Sequence, residues 1–386
     1  MILGIDASNL RQGGGVTHIV EILKEARPQN YGFSKVCIWS NQKTLERITN
    51  RDWLEKIYQP VLDQSLIKRQ IWQKTTLPRQ LKEYNCDILY VPGGSDGSGF
   101  QPMVTMCRNM LPFEWKELLR YKLSWMSLKL LLVRISQLRS FRQAYGLIFL
   151  TDYARKSLIP IIALENLNEK VIPHGIDDRF FIKPRTSYNI ERYTPENPFK
   201  ILYVSIIDVY KHQVNVVKAV KSLIAKGYPI QLQLVGPAYK PELKRLRREL
   251  ISGDQKIQYL GAIDYNQLHA IYKDSHLNVF ASSCENMPNI LLEGMASGLP
   301  IACSNFGPMP EILGDAGIYF HPEKVEEIQK SIEILILDLN LRERLSHSSY
   351  EKAKQYSWKK TADQTFKFLQ SVGNHYYERR ILNSNS

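Results

Sequence analysis

Two glutamates, Glu285 and Glu293, lie eight positions apart in the stretch CENMPNILLEGMASGLP at residues 284–300. Pro288 suits the first turn of a helix and Gly298 suits its end, so the stretch predicts a short helix with Glu285 in the loop before it. The N–H groups at a helix start favour a phosphate, and carboxylates beside it would accept hydrogen bonds from hydroxyl groups. A nucleotide sugar has hydroxyl groups on both sides of its diphosphate and fits this arrangement. The alternative is a solvated Glu285 and a Glu293 on a helix surface, and spacing alone leaves both interpretations open.

Two further segments carry residue types that bind anions. Lys211 follows the predicted strand KILYVSI at a strand-to-helix turn, where its side chain would reach a phosphate. A solvated lysine at a helix start is the alternative. Gly13, Gly14 and Gly15 follow the first predicted strand and open a helix, and glycines there let the backbone approach an anion closely. Because GGGVTH lacks the full G-x-G-x-x-G pattern, a plain flexible turn also remains open.

Short apolar segments alternate with amphipathic segments along almost the whole chain. In the first half the pattern predicts strands at 2–6, 34–39, 87–91, 103–107 and 146–150, and helices near 15–26, 65–83 and 113–142. In the second half it predicts strands at 200–206, 230–236, 257–261, 277–282, 300–304 and 317–320. Such alternation predicts an α/β architecture of parallel sheets covered by helices on both faces. Ligands of such sheets bind beyond the carboxyl ends of the strands, where the loop containing Glu285 falls.

The alternating pattern restarts near residue 199, after a polar segment with three prolines. The sequence therefore predicts an N-terminal domain at 1–182, a linker at 183–198, a C-terminal domain at 199–356, and a terminal helix and tail at 357–386. A chain of 386 residues is long enough for two domains of ordinary size.

The amino-acid composition limits which binding partners and which cellular compartment are expected for the protein. With 44% hydrophobic and 23% charged residues the chain is typical of a soluble globular protein, and its net charge of +13 favours an anionic partner. A nucleic acid is disfavoured, because the sequence contains no recognised binding module or aromatic-interleaved basic motif. Five scattered cysteines without a Cys-x-x-Cys pair indicate reduced thiols in the cytosol. The start MILGID indicates a strand rather than a signal peptide, and no segment reaches the roughly 18 apolar residues that span a bilayer.

Together these segments resemble the group 1 glycosyltransferases, the large retaining family 4, whose members have two Rossmann-like domains facing across a cleft (the GT-B type). The most specific similarity is FASSCENMPNILLEGMASGLPIACSNFGPMPEIL at 280–313, which resembles the E-x7-E signature of the family with Glu285 and Glu293 as its carboxylates. Similar segments are GGGV at 13–16, VIPHGID at 171–177 and IQYLGAIDYNQLHAIYKDSHLNVFASS at 257–283.

The resemblance implies a role for each matching residue. Glu285 would contact the transferred sugar, Glu293 the nucleotide ribose, and Lys211 the diphosphate. The other implied donor contacts are the backbone of Asn286, Met287, Pro288 and Asn289 at the diphosphate, Gly13, Gly14 and Gly15 closing over it from the first domain, and the backbone of Leu260, Gly261 and Ala262 at the base.

Two positions depart from the family pattern. Ile206 stands where the family often has an arginine, five residues before the lysine, which puts part of the diphosphate contact in doubt. Arg108 and Asn109 stand where a His-Asp pair is common. The acceptor or phosphate contacts that we expect here are Arg108, Asn109 and His174, with Arg108 or His174 substituting in part for the usual pair. For His174 the alternative is a loop histidine that bonds the backbone.

The implied reaction is transfer of a sugar, with retention of configuration, from a UDP-, GDP- or ADP-linked donor to a glycan or lipid-linked acceptor. The sequence contains no Asp-x-Asp motif of the kind that holds a divalent metal, so we expect Lys211, the helix start and backbone amides to stabilise the leaving diphosphate without a metal or other cofactor. The expected pathway is bacterial cell-surface polysaccharide assembly, such as lipopolysaccharide. A sugar-nucleotide epimerase on the same scaffold and a catalytically degenerate nucleotide-sugar-binding partner protein are the alternatives.

The stretch 113–142 combines many basic residues with leucines, Trp125 and Met126, which is the composition of a helix lying among lipid headgroups. A second basic run on the same domain consists of Lys68, Arg69, Lys74, Arg79 and Lys82. The sequence therefore predicts a cytoplasmic protein bound peripherally to the anionic inner face of the membrane. The alternative is an ordinary helix packed on the sheet with solvated lysines.

Overall fold

The structure, a computed structural model, describes residues 1–11, 13–163, 168–250 and 255–384. The chain divides into two compact units. Unit 1 contains Met1–Phe113, Ser124–Gly175 and Tyr356–Ser386, and unit 2 contains Glu114–Leu123 and Ile176–Gln355.

Unit 1 is built on a parallel sheet whose described strands have the order β3-β2-β1-β4-β5-β6-β7. The strands are β1 (Ile2–Asp6), β2 (Lys35–Ser40), β3 (Leu54–Tyr58), β4 (Ile88–Val91), β5 (Met103–Met106), β6 (Gly146–Phe149) and β7 (Asn168–Val171). The five predicted strands are present. The two edge strands, β3 and β7, were not predicted, because their largely half-exposed residues form no apolar run.

The helices up to residue 162 are α1 (Gly14–Glu25), α2 (Gln42–Arg47), α3 (Leu66–Thr75), α4 (Leu77–Glu83), α5 (Trp115–Leu119), α6 (Trp125–Gln143) and α7 (Asp152–Ile162). The predicted helix at 65–83 is two helices, because Pro78 starts a new one. The predicted helix at 113–142 is also broken. Lys122 has a φ of 52°, and the Ser124 side chain caps α6 by accepting a hydrogen bond from the Ser127 N–H.

Unit 2 is built on a second parallel sheet, with the strand order β10-β9-β8-β11-β12-β13. Its strands are β8 (Phe199–Val204), β9 (Ile230–Val235), β10 (Ile257–Gly261), β11 (Leu277–Phe280), β12 (Ile301–Ser304) and β13 (Ile318–Phe320), all of them predicted to within two residues. Its helices are α8 (Gln213–Ala225), α9 (Lys240–Glu249), α10 (Tyr265–Asp274), α11 (Asn289–Ala296), α12 (Met309–Leu313), α13 (Val325–Leu337) and α14 (Leu339–Ala353).

Both sheets have the strand order of a Rossmann fold, in which the direction of winding reverses beside the first strand of the unit. In unit 1 the reversal lies between β1 and β4, and in unit 2 between β8 and β11. In sheets of this topology, ligands bind beyond the carboxyl ends of the strands at the point of reversal. In unit 2 the loops after β8 and β11 contain Lys211 and Glu285.

The segment predicted as a linker, 183–198, lies within unit 2. The Arg185 guanidinium donates to the backbone oxygens of Lys273 and Ser275, and the Arg342 guanidinium donates to the backbone oxygen of Tyr188. These hydrogen bonds attach the segment to unit 2. The boundary between the units therefore lies earlier than predicted, after Gly175.

The terminal helix, α15 (Trp358–Ser384), is part of unit 1. Val372 packs against Gly146 of β6, and the Tyr377 hydroxyl donates to the backbone oxygen of Asp87 at 2.9 Å. The ring of Phe366 contacts the ring of Phe33. Among the described helices, α15 included, none is both long enough and apolar enough to cross a bilayer.

Candidate active site

The loop after β8 fixes the backbone of Lys211 at the carboxyl end of that strand. The Asp208 carboxylate caps a 3-10 turn, Val209–Lys211, by accepting a hydrogen bond from the Val209 N–H at 2.8 Å. The Tyr121 hydroxyl, from the segment 114–123, donates to the same carboxylate at 2.8 Å. The Tyr203 hydroxyl of β8 donates to the backbone oxygen of Lys211 at 2.5 Å. Burial raises the pKa of Asp208, although these hydrogen bonds and the charge on Lys211 act in the opposite direction.

Lys211 and Glu285 form an ion pair between the loops after β8 and β11. Their side chains are 5% and 14% exposed, so the pair is largely withdrawn from water. The Lys211 ammonium also lies over the rings of Tyr210 and Phe280, at 4.9 and 5.5 Å from the ring centroids. A buried charge needs such partners to offset its desolvation. The structure therefore brings together two residues that the sequence predicts at one site.

The start of α11 lies directly after Glu285. Asn286 and Met287 are buried, Pro288 is the N-cap residue, and the helix begins at Asn289. Gly294, on the buried side of α11, lets the helix lie against β11, because a Cβ there would lie 2.4 Å from the Asn278 side-chain nitrogen. The predicted helix is thus present, and its first turn contains no acidic side chain that would compete with an anion for the N–H groups.

Glu293 is buried in α11, with 4% of its surface exposed, so it does not decorate a solvated helix surface. Burial raises its pKa to about 7, while hydrogen bonds from Tyr265 and Tyr272 and the charge on Arg179 limit the rise. The Arg179 guanidinium stacks on the Tyr265 ring at 4.3 Å from its centroid. Around neutral pH this carboxyl group therefore exchanges between its acid and carboxylate forms.

The segment predicted to meet the base, Leu260 to Ala262, lies at the carboxyl end of β10. Leu260 is exposed, and Gly261 has a φ of 75°, a conformation that favours glycine. The Gly236 N–H donates to the backbone oxygen of Gly261 at 2.8 Å. Because β9 lies between β10 and β8, this segment is not part of the Lys211–Glu285 cluster.

In unit 1, Gly13 and Gly15 frame the start of α1. Gly13 is the N-cap residue, with a φ of 70°. A Cβ at Gly15 would lie 2.2 Å from the Arg108 guanidinium, so the glycine allows that guanidinium to lie against the first turn of α1. Burial lowers the pKa of Arg108, and among the described residues its Nε has no hydrogen-bond partner. Asn109, in contrast, is exposed, and its side-chain oxygen accepts a hydrogen bond from the Leu111 N–H at 3.0 Å.

His174 belongs to a buried cluster with His18 of α1. Their Nδ1 atoms lie 3.1 Å apart, and the His18 Nε2 lies 3.2 Å from the Tyr90 hydroxyl of β4. Burial and the charge on Arg108 hold the pKa of His174 at about 3, and burial also lowers the pKa of His18 far below its usual value. Both rings are therefore neutral at pH 7, with one Nδ1 donating and the other accepting.

Sequence reasoning missed His18 and Tyr90 in unit 1, and Asp208 and Tyr121 in unit 2. The signal for His18 is a polar side chain on the buried face of α1, within the GGGVTH segment. Tyr121 is separated from Asp208 by 87 positions, and no local pattern reports such a contact. Within the described residues, no group of three or more His, Cys, Asp or Glu side chains is arranged to hold a metal ion.

Residues 186–352 match the family model described as glycosyl transferases, group 1. The match includes Lys211, Glu285 and Glu293, whereas Arg108 and His174 lie outside it. It confirms the resemblance to group 1 glycosyltransferases that the sequence predicts.

Curated relatives match parts of the chain. The O-antigen chain mannosyltransferase B of Escherichia coli is 34% identical over 109 residues, 28% of this chain and 29% of the relative. Sulfoquinovosyl transferase SQD2 of Arabidopsis thaliana is 26% identical over 171 residues, 43% of this chain and 32% of the relative. The serotype-specific mannosyltransferase WbdA of Escherichia coli is 24% identical over 242 residues, 59% of this chain and 29% of the relative. The matches thus span less than a third of the length of these relatives.

Solved structures of similar fold cover nearly the whole chain. Sucrose-phosphate synthase from Thermosynechococcus elongatus has a TM-score of 0.74 at 16% identity, covering 100% of both chains. HepE from Anabaena, in a complex with UDP and glucose, has a TM-score of 0.68 at 16% identity, covering 96% of this chain and 100% of its own. WaaG, a glycosyltransferase involved in lipopolysaccharide biosynthesis, has a TM-score of 0.68 at 15% identity, covering 96% of this chain and 99% of its own. These matches confirm the predicted fold class, an α/β protein with two Rossmann-like domains of the GT-B type.

Proposed function

We propose that this protein is a retaining glycosyltransferase that moves a sugar from a nucleotide sugar to a glycan or lipid-linked acceptor. The observation that carries the proposal is the buried Lys211–Glu285 ion pair where the strand order of unit 2 reverses, within the segment that matches the group 1 model. A cation and a carboxylate at one site suit a ligand that carries both phosphates and hydroxyl groups.

Glycosyl transfer passes through an oxocarbenium-like transition state while negative charge grows on the leaving nucleoside diphosphate. In this chain Lys211 and the N–H groups at the start of α11 stabilise that charge. Because Lys211 is already desolvated, the incoming diphosphate replaces Glu285 as its counter-ion. The released Glu285 carboxylate then orients the sugar and favours the cationic transition state.

Retention follows if the acceptor attacks from the face that the diphosphate leaves. A phosphate oxygen then takes the acceptor proton, so the reaction needs no separate base, and Lys211 with the N–H groups of α11 stands where another enzyme would use a metal. Arg108, held against the start of α1, supplies a cation in unit 1 for a phosphate of the donor or the acceptor. His174, neutral at pH 7, serves as a hydrogen-bonding group beside it.

The test is turnover by the purified full-length protein with UDP-, GDP- and ADP-linked sugars. The true donor should raise the melting temperature, because a ligand at 100 times its Kd stabilises the folded state by about 2.7 kcal/mol. Release of the nucleoside diphosphate should accelerate with acceptor and vanish in Lys211→Met. Interconversion of the donor without acceptor would indicate an epimerase instead. Donor binding without any turnover would indicate a degenerate binding protein.

The names of the relatives support a place in bacterial cell-surface polysaccharide assembly, and we place the protein on the cytoplasmic side of the membrane. An O-antigen chain mannosyltransferase and a serotype-specific mannosyltransferase are among the curated relatives, and a glycosyltransferase involved in lipopolysaccharide biosynthesis shares the fold. An acceptor in such a pathway is a glycan or a lipid-linked glycan.

Peripheral membrane contact is part of the proposal, and two helices of unit 1 support it. Exposed apolar side chains on them are Leu66, Ile67 and Ile71 of α3, and Trp125, Leu128, Leu132 and Ile135 of α6. Exposed basic side chains on the same helices are Lys68, Lys74, Lys129 and Arg139. Exposed apolar residues mixed with cations suit the headgroup region of an anionic bilayer.

Vesicle co-sedimentation tests this contact with the double variant Lys68→Glu/Lys129→Glu. Arg69 and Arg134 are unsuitable, because Arg69 is buried and donates to the Ser8 backbone oxygen, and Arg134 donates to the backbone oxygen of Pro112. Wild type should bind anionic vesicles at low salt, and the variant should bind at least tenfold less, since each cation near the surface contributes about 1 kcal/mol and two are reversed. Equal binding by both proteins would contradict membrane contact through these helices.

A further inference from the structure

The Arg179 guanidinium is held in one orientation near the start of unit 2. Arg179 belongs to the 3-10 turn Asp178–Phe180, which the Asp177 carboxylate caps by accepting a hydrogen bond from the Arg179 N–H at 3.1 Å. The guanidinium Nη2 lies 3.2 Å from the same carboxylate, and Nη1 donates to the Asn266 side-chain oxygen at 2.8 Å. Because both ends of the planar fork have partners, the guanidinium has little freedom to turn.

The guanidinium lies on the ring of Tyr265, the first residue of α10. Its central carbon is 4.3 Å from the ring centroid, and the Phe180 ring lies beside the same tyrosine, with 5.6 Å between the centroids. The Tyr265 hydroxyl donates a hydrogen bond to the Glu293 carboxyl group of α11. Tyr265 therefore links a cation in the turn to a buried carboxyl group on α11.

Glu293 has few other groups that favour its ionised form. The Tyr272 hydroxyl lies 3.5 Å from Glu293 Oε2, but its closer hydrogen bond goes to the Ile290 backbone oxygen at 3.0 Å. Within the described residues, the strongest cationic influence on Glu293 is Arg179, and the strongest anionic one is Asp177. The other elements packed on α11, β11 and α14, meet the helix or its end with the neutral side chains of Asn278, Ser346 and Ser349. The ionised form of this carboxyl group therefore depends on Arg179.

We propose that Arg179 is a positioning residue for the nucleotide sugar, which acts through Tyr265 to keep Glu293 ionised for the donor ribose. The inference rests on the proposed function and deepens it, because it names a residue that acts on the ribose contact through other side chains. A carboxylate only accepts hydrogen bonds and suits two ribose hydroxyls, whereas a protonated carboxyl group has to donate one bond of its own. Arg179 thereby raises the fraction of the protein that is competent to bind the donor at neutral pH.

Infrared difference spectroscopy of the donor-free, full-length protein tests the action of Arg179 on Glu293. The pH midpoint of Glu293 is obtained by subtracting the titration of Glu293→Gln. Arg179→Gln should raise this midpoint by about one pH unit, the lower end of the effect of a nearby opposite charge, because Arg179 acts across a ring. Arg179→Lys keeps the cation and should stay closer to wild type. An unmoved midpoint in Arg179→Gln would overturn the proposal.

The matched control is Arg192→Gln. Arg192 is an exposed residue of unit 2 whose guanidinium lies on the Tyr188 ring at 4.4 Å from its centroid, so the substitution removes the same kind of contact and the same charge. The midpoint of Glu293 should stay at the wild-type value in this variant. Equal shifts in the two variants would mean a general effect of net charge and would also overturn the proposal.

The KM for the donor between pH 6 and 9 tests the consequence for the ribose. With a midpoint about one unit higher, the ionised fraction at pH 7 falls from about one half to about one tenth, so the KM of Arg179→Gln should rise about fivefold there. At pH 9 the KM should return close to wild type, and kcat at saturating donor should stay within about twofold. A KM raised equally at every pH would mean a purely structural role and would contradict the inference.

A double variant separates the action through Glu293 from any direct action of Arg179. In the Glu293→Gln background no carboxyl group remains to be ionised, so adding Arg179→Gln should leave the KM unchanged. A further rise of the same size as in wild type would show that Arg179 acts without Glu293.

Failure of this inference and failure of the proposed function give different results. If no nucleotide sugar stabilises the wild-type protein or turns over, the glycosyltransferase proposal fails whatever the infrared titration shows. If a donor turns over but the KM profiles of Arg179→Gln and wild type coincide, only the role of Arg179 fails.

Discussion

Lys211 and Glu285 form an ion pair, and the rings of Tyr210 and Phe280 lie beside the Lys211 ammonium. Ile206, in the position where the group often has an arginine, is an exposed aliphatic residue and adds no cation to the loop after β8. Under the proposed function, the diphosphate therefore depends on Lys211 and on backbone N–H groups to a larger degree than it would in a site with both cations. Glu285 is then the counter-ion of Lys211 in the absence of the donor.

Replacement of Glu285 by Gln should reduce kcat by roughly two to three orders of magnitude, the range seen when one transition-state contact is removed. The KM for the donor should stay within a few-fold of wild type or fall, because the diphosphate no longer competes with Glu285 for Lys211. Steady-state kinetics at saturating acceptor measures both quantities, with the melting temperature as a control for folding. Near-normal turnover would remove Glu285 from the mechanism.

Donor binding should depend on pH through Glu293. Its pKa is about 7 in the folded protein, so the carboxylate form, which under the proposed function accepts hydrogen bonds from the ribose hydroxyls, becomes dominant above that value. The KM for the donor should fall as the pH rises from 6 to 8, and Glu293→Gln should flatten that profile. A profile unchanged by the substitution would separate Glu293 from the ribose.

The same pKa predicts the sign of a stability change in unit 2. The folded-state pKa, about 7, lies above the ordinary glutamate value of 4.5, so the folded state binds the proton more tightly than the unfolded state. The contribution of Glu293 to the free energy of unfolding is fully present below pH 4.5 and is lost as the pH rises through 7. A difference of that size corresponds to about 3 kcal/mol.

Among single residues, the sequence predicts the positions of those that can be located by local spacing. Glu285, Glu293 and Lys211 each occupy a loop or helix position that can be counted from a strand end. His18, Tyr90 and Asp208 act through contacts with residues far away in the chain, and a single sequence contains no signal for such contacts. The burial of Glu293 could not be predicted from the sequence either, because an acidic residue on a short helix usually faces solvent.

The secondary-structure elements could be predicted where their residues are buried. Strands β8, β11 and β12 of unit 2 are mostly apolar and buried, and β9 and β10 still contain several apolar residues, whereas β3 and β7 are edge strands with more polar and half-exposed residues. The break between α5 and α6 is hidden because apolar and basic residues continue through 113–142 without interruption. The break matters because the segment before it, 114–123, belongs to unit 2, where the Tyr121 hydroxyl donates a hydrogen bond to Asp208.

The close contact between α11 and β11 predicts that adding a methyl group at Gly294 destabilises unit 2. Gly294→Ala should destabilise unit 2 by about 1–3 kcal/mol, because the new Cβ would lie 2.4 Å from the Asn278 side chain and force the helix away. Denaturant unfolding measures the change, and donor affinity should fall with it because α11 begins at the proposed diphosphate site.

The control for Gly294→Ala is the double variant with Asn278→Ala, which removes the clashing side chain. Among the described residues the Asn278 side-chain nitrogen has no hydrogen-bond partner, so its removal alone should cost little. The double variant should recover most of the lost stability, giving a coupling energy that a double-mutant cycle measures. An additive cycle would show that the two side chains do not clash.

On the scale of the whole chain, the restart of the strand pattern near 199 predicts two units, but it does not predict their limits. The segment 183–198 is polar and rich in proline, yet the hydrogen bonds of Arg185 and Arg342 attach this segment to the rest of unit 2. The terminal helix has an apolar stripe that either sheet would accommodate, and its attachment to unit 1 follows only from contacts such as Tyr377 with Asp87. Composition cannot report which of two similar surfaces a helix covers.

Removal of residues 356–386 should therefore unfold unit 1 and spare unit 2. The helix α15 contributes core residues to unit 1, namely Trp358, Ala362, Phe366, Leu369 and Val372. Burial of each large apolar side chain contributes about 1.5–3 kcal/mol, so their combined loss rivals the roughly 5–15 kcal/mol that stabilises an ordinary domain.

A milder variant, Phe366→Ala, should cost about 3–5 kcal/mol, whereas Leu382→Ala, at an exposed position of the same helix, should cost almost nothing. In calorimetry the truncated protein should retain one transition, still raised by the nucleotide sugar that binds the wild type. Loss of that donor-dependent transition would mean that unit 2 requires α15, contrary to the division of the chain.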